Sequence, residues 1–275
     1  MSLGIAFKGP EGIVLAADSR VTLNNAFAQP NGQTMVIAST FDNATKLLKV
    51  KGQDFVGAVT YGVGALGQKE PRTAHSFIPE FESMLNKKYP GKRLKVEEFA
   101  QELSSFFLAQ WNAHMQGANP QGDLVFLVGG YDEGSPYGRV FDVFIPSKPK
   151  PNELYAAPGQ FGAAWGGQRE HVDRLLNGYD SRVLDLAQTE FSLDASKKEE
   201  FKKKLAPLTT PIPYPFLPLQ DSVDLSIFLI RTTIRIQTWM IGIRGVGGAI
   251  DVATITKTDG FRAVQAKQIG GERAS

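Results

Sequence analysis

No cysteine occurs in the 275 residues. That excludes disulfides, thiolate metal sites and a cysteine nucleophile, and it fits a reducing compartment. Histidine is almost as scarce. His75, His114 and His171 are scattered along the chain without metal-ligand spacing, so neither a metal nor a cofactor is expected. No apolar run reaches the roughly 18 residues that would span a membrane. The N-terminus has no basic flank followed by an apolar stretch, so it does not read as a signal peptide. A net charge of +2 offers no basic surplus for nucleic acid, and no basic stripe is interleaved with aromatics. Gly129-Gly130 and Gly166-Gly167 lack the context of a phosphate-binding loop. The expectation is a cytoplasmic protein, not membrane-bound, whose own N-terminus is available for use.

What is present begins with Met1 to Arg20. The apolar runs Leu3 to Phe7 and Ile13 to Ala17 flank Lys8-Gly9-Pro10-Glu11-Gly12, a turn composition, which predicts a hairpin. Closed by Gly9 and Gly12, it sets Ser2 across from Ser19, with Asp18 and Arg20 as neighbours; one bulge would change which of these faces Ser2. In either register a hydroxyl is held beside a carboxylate and a guanidinium. Removal of Met1 would give residue 2 both a hydroxyl nucleophile and a free α-amine base.

Along the chain, Leu23 to Gly32 reads as an Asn-rich loop carrying Pro30, and Thr34 to Ala38 as a short strand. Lys46 to Val50 and Phe55 to Thr60 read as strands. Ile13 to Ala17 and Phe55 to Val59 are apolar at nearly every position, the pattern of strands buried on both faces. Helices are expected from Glu70 to Asn86 and Val96 to Met115, with Gly117 to Gly122 ending the second. A hairpin follows over Asp123 to Phe144, a Lys/Pro loop over Pro146 to Pro151, and helices over Gln168 to Asn177 and Asp194 to Leu205. Asp221 to Ile241 predicts a helix with a broad apolar face, and a final hairpin closes the chain. This order implies an α+β fold in one domain.

Four segments carry a resemblance. Gly12 to Thr22, Asn43 to Val50, Phe126 to Asp132 and Gly247 to Thr256 resemble, in this order, strands of proteasome β-type subunits of the N-terminal nucleophile (Ntn) hydrolase superfamily. The resemblance implies a four-layer αββα sandwich spanning 1–275. Relative to it, 26–39 and 178–218 look like insertions and 270–275 like a loose tail. It also implies a homo-oligomer, as a ring or stack, acting on a peptide or protein substrate.

By the same resemblance the catalytic set is Ser2 as nucleophile, Lys46 beside it and Asp18 orienting that lysine; Arg20 either joins this catalytic cluster or forms a structural ion pair. Thr22 would align an extended peptide, and Thr60, Tyr61 and Gly62 fall where the oxyanion hole and specificity pocket lie. The supporting acid and serine of the family fall on Ile243 and Val246, and the Gly/Ser-rich turn on Pro158 to Gly162, so those partners are missing. The activity implied is hydrolysis of amide bonds. The alternatives are amide transfer or peptide ligation, and a non-catalytic assembly protein that keeps the fold alone.

Overall fold

The turn at Gly9–Gly12 is closed by a 2.9 Å hydrogen bond from the Gly9 N–H to the Gly12 carbonyl. It joins β1 (Leu3–Lys8) to β2 (Ile13–Asp18), with Gly4 opposite Ala17 and Lys8 opposite Ile13, the unbulged register. The computed structural model describes residues 2–28, 32–67, 70–117 and 122–271. Met1, most of the turn after the second predicted helix, and the end of the expected tail lie outside the described residues.

After this hairpin come β3 (Val21–Ala28), β4 (Thr34–Phe41), β5 (Leu47–Leu48), β6 (Val56–Gly62), α1 (Ile78–Lys88) and α2 (Val96–His114). The middle of the chain holds β7 (Leu124–Gly130), β8 (Arg139–Ile145), β9 (Lys148–Leu154) and β10 (Gly162–Gly167). Then follow α3 (Glu170–Leu176), α4 (Ser181–Glu190), α5 (Ala195–Leu205), α6 (Leu219–Thr238), β11 (Ile250–Thr256) and β12 (Gly260–Gln265). The fold is α+β. Two five-stranded antiparallel sheets, ordered β10-β1-β2-β11-β12 and β5-β6-β7-β8-β9, accompany a separate β3-β4 pair.

The alternation of side chains explains the continuous apolar runs. Leu3, Ile5 and Phe7 of β1, with Val14 and Ala16 of β2, pack against Val172 of α3 and Leu229 and Ile230 of α6. The intervening Ala6, Ile13, Leu15 and Ala17 pack against Val59, Leu127 and Val140 of the second sheet. Both faces of the first hairpin are therefore buried, and its charged residues, Lys8 and Asp18, stand only at strand ends. On its other side the second sheet packs Phe126 and Phe141 against Phe81 of α1 and Phe99, Leu103 and Phe107 of α2.

Three expectations are corrected. Residues 23–28 are not loop: they pair in register with β4, from Val21 opposite Phe41 to Ala28 opposite Thr34, a hairpin outside both main sheets. Local Asn content argued for a loop, but the ladder partner is supplied by the β-branched run that follows. The Lys/Pro loop is instead the edge strand β9. Pro149 and Pro151 are tolerated there because one side of an edge strand makes no ladder bonds. The broad apolar face of α6 is divided. Val223, Leu229 and Ile230 are buried together with Ser226, Thr233 and Gln237, whereas Phe228 is exposed, as are Trp239 and Ile241 just beyond the helix. The helix α4, capped by Asp180 through the Arg182 N–H, went unread.

Tyr61 of β6 crosses between the sheets over two glycines. A Cβ at Gly166 would lie 2.3 Å from the Tyr61 hydroxyl oxygen, and one at Gly4 2.8 Å from Tyr61 Cδ1. Gly166→Ala is expected to destabilise the fold by about 1–3 kcal/mol through overpacking. Combined with Tyr61→Leu it should cost less than the sum of the two single changes, as measured by denaturant midpoints in a double-mutant cycle.

Candidate functional site

Where the β1–β2 ladder ends, a side chain takes over from the backbone. The Leu3 N–H donates to Asp18 Oδ1 at 3.0 Å rather than to a strand carbonyl. The same oxygen accepts from Lys46 Nζ at 2.7 Å. The other carboxylate oxygen, Oδ2, accepts from the Arg20 N–H and the Gly247 N–H, each at 3.0 Å. Asp18 is fully buried, and donors from four separate places use its lone pairs. Lys46 Nζ also donates to the Arg20 carbonyl at 2.6 Å. The two oxygens that hold the ammonium therefore come from the last residue of β2 and from the segment just after it.

Lys46 is buried, and burial lowers its pKa, with the Asp18 carboxylate pulling the other way. It stands with Ser2, Thr60 and Tyr61 around a small cavity also lined by Val21, Ala44 and Leu124. The room inside is about 20 Å³, enough for roughly one water. Ser2 is buried, and its carbonyl accepts from the Gln168 N–H at 2.8 Å. Ser2, Asp18 and Lys46 are thus brought together.

The other expected residues take different places. Arg20 contributes its backbone to the cluster, while its guanidinium turns away to hold Asp42 through Nε at 2.5 Å and Nη2 at 2.7 Å. A third donor, Nη1, reaches the Arg244 carbonyl at 3.1 Å. That guanidinium keeps the Asp42 carboxyl below the usual carboxylate range. The Thr60 N–H is committed to the Lys46 carbonyl at 3.0 Å and its hydroxyl to the Val125 carbonyl at 3.0 Å. Tyr61 presents its ring to the cavity, and burial raises its phenol pKa. Gly62 has φ +89°, the left-handed region, with the Asp123 carbonyl 2.1 Å from where a Cβ would sit. The Thr22 hydroxyl oxygen is buried without a hydrogen-bond partner.

Val246, at the place of the missing serine, is buried; Ile243, at the place of the missing acid, is exposed. Asp42, Gln168, Gln237 and the Gly247 N–H were not singled out from sequence. Each meets the cluster through partners far away in the chain, so no local pattern marks it. Among the described residues no group of His, Asp and Glu side chains is arranged to hold a metal ion. Nor is any described helix long and apolar enough to cross a membrane.

Comparison with solved structures decides the fold. Anbu from Pseudomonas aeruginosa, in a structure described as a helical assembly of the Anbu complex, aligns over 97% of this chain and 88% of its own at TM-score 0.55 and 14% identity. A Gly-1 mutant of Anbu from Hyphomicrobium sp. strain MC1 aligns over 97% of this chain and 86% of its own at TM-score 0.53 and 14% identity. This chain has an Anbu-like fold. No protein-family model matches it, and no curated protein matches it. The expected assignment as a proteasome β-type subunit-like protein is corrected accordingly: both of these solved structures are Anbu proteins, and 14% identity carries the fold alone. Four short strand motifs were insufficient to assign a family.

Asp18→Asn would offer one oxygen to the donors that now share two, and would leave Lys46 without its carboxylate. The expected loss is about 3–5 kcal/mol, read as a lower denaturant midpoint. Folding holds the Lys46 pKa below its ordinary value of 10.5. Between the lowered value and 10.5 the unfolded chain therefore binds more protons than the folded one, and Lys46 adds stability as pH rises through that window. Lys46→Met should remove this component, giving a shallower rise or steeper fall of stability with pH in alkaline denaturation series.

Proposed function

We propose that this chain is an Ntn-type amidohydrolase in which Ser2, exposed as the first residue by removal of Met1, attacks an amide carbonyl. The observation that carries the reading is the junction of Ser2 with the buried Asp18–Lys46 pair at one cavity. The Ser2 hydroxyl would transfer its proton to its own α-amine, which titrates near 7.7–8.0 in model compounds. The Lys46 ammonium, held by Asp18 and the Arg20 carbonyl, would stabilise the alkoxide as it forms and lower the pKa of the neighbouring amine. Attack gives an acyl-Ser2 ester and releases the amine; water then hydrolyses the ester and regenerates Ser2. Since Thr60 spends its N–H on Lys46, the oxyanion would be met by other N–H groups of this region.

We read the whole chain as one αββα domain in four layers, supported by the three apolar clusters that separate helices, sheet, sheet and helices. Self-association is supported by the helical assembly described for the Pseudomonas aeruginosa Anbu. The exposed Phe228, Trp239 and Ile241 support it too. A second reading, an assembly protein without chemistry, is favoured by one observation: the cavity beside Ser2 has room for about one water, too little for a peptide carbonyl and its flanking groups.

The test is covalent labelling by an electrophile that targets N-terminal hydroxyl nucleophiles, followed by peptide mapping on protein whose intact mass shows loss of Met1. Wild type should label at Ser2, Ser2→Ala should not, and Ser2→Thr should label at least as well because a β-branched residue restrains χ1. The rate should rise with pH on a midpoint below the ordinary α-amine value. Absence of labelling in wild type lacking Met1 would establish the assembly reading instead.

A further inference from the structure

The loop carrying Gly247 and the start of β1 are joined by two glutamines that the reaction above does not use. Gln237, in the last turn of α6, is buried. Its Oε1 accepts from the Val246 N–H at 3.0 Å, and its Nε2 donates to Gln168 Oε1 at 2.6 Å. Gln168 in turn donates its backbone N–H to the Ser2 carbonyl at 2.8 Å. Gly247, next to Val246, donates to Asp18 Oδ2, and Asp18 Oδ1 accepts from the Leu3 N–H, both at 3.0 Å. The links close on themselves, running from Ser2 through Leu3, Asp18, Gly247, Val246, Gln237 and Gln168 back to Ser2.

The chemistry of Gln237 is specific to this ring. A backbone N–H on one side requires the amide oxygen there, so the NH₂ must face Gln168. A glutamine on a helix face otherwise buried beside Val223, Leu229 and Ile230 costs desolvation unless both ends are satisfied. Both ends are satisfied, and by the two segments that carry the nucleophile and the clamp of its acid.

We propose that Gln237 is a positioning residue for Ser2. Through Gln168 it sets the register of residue 2 along β1, and through Val246 and Gly247 it sets the carboxylate plane of Asp18, so that Ser2 meets Lys46 in a reactive alignment. The inference rests on the reading of Ser2 as nucleophile. A displacement of about 1 Å at a reacting group costs on the order of a hundredfold in rate, so a device acting two hydrogen bonds away can govern the chemistry without touching substrate.

The experiment compares wild type, Gln237→Leu and Thr233→Val, all lacking Met1, by saturation labelling with the same electrophile and by amide hydrogen exchange. Gln237→Leu should lower the maximal labelling rate by about tenfold or more while changing the half-saturating concentration less than about twofold. It should also speed exchange in the peptides containing Leu3 and Gly247. Thr233→Val, one turn earlier on the same buried face, should change neither, which separates the ring from packing of α6. Equal maximal rates for wild type and Gln237→Leu, or unchanged exchange in both peptides, overturn the proposal. Wild type that does not label while exchange in Gln237→Leu still accelerates sinks the nucleophile reading, and with it a catalytic purpose for the ring.

Discussion

The carboxylate of Asp18 is the constraint on which the site depends. A fully buried charge is tolerable only when its lone pairs are filled and a counter-charge is close. Here the donors come from the start of β1, the segment after β2, the Lys46 side chain and the Gly247 loop. One functional group thus draws together segments far apart in the chain. The neighbouring Ser19 reinforces the junction: its N–H donates to the Gly247 carbonyl at 3.1 Å and its carbonyl accepts from the Ala44 N–H at 2.9 Å. The nucleophile candidate lies one residue from this junction and inherits its rigidity.

The second constraint is the closeness of the two sheets. Small residues in the first hairpin, above all Gly4, and Gly166 in β10, let the Tyr61 ring lie between the sheets. The same ring narrows the cavity at Ser2. Packing that holds the two sheets together therefore also limits what can reach the hydroxyl. The tight cavity and the charged pair pull the functional reading in opposite directions, one toward a closed scaffold and one toward chemistry. That opposition has a physical basis: desolvation that strengthens electrostatics at a site also excludes substrate unless something moves.

Several features were legible because they are local. The Gly9–Gly12 turn and the uninterrupted apolar runs on either side specify the first hairpin and its double burial. The apolar spacing from Val96 onward specifies α2 to within a residue at each end. The juxtaposition of Ser2 with Asp18 follows from the hairpin register alone. The reading failed where a partner outweighed composition: residues 23–28 became strand because β4 supplies a ladder, and Pro149 and Pro151 sit in a strand because β9 has a free edge. Four short strand motifs were likewise too local to assign a family.

By itself the sequence determined what depends on neighbours in the chain: the α+β order of elements, the buried hairpin, and a hydroxyl beside a carboxylate at its open end; Lys46 was placed there only by the resemblance. Only the tertiary structure decided how those groups are used. It turned the Arg20 guanidinium toward Asp42 and left its backbone to serve Lys46. It brought Gln237 and Gln168 to residue 2. It divided α6 into a buried polar-lined face and an exposed apolar end. Each of these is a choice among partners distant in sequence. Such choices are made by the competition of buried donors for buried acceptors, which no window of sequence contains.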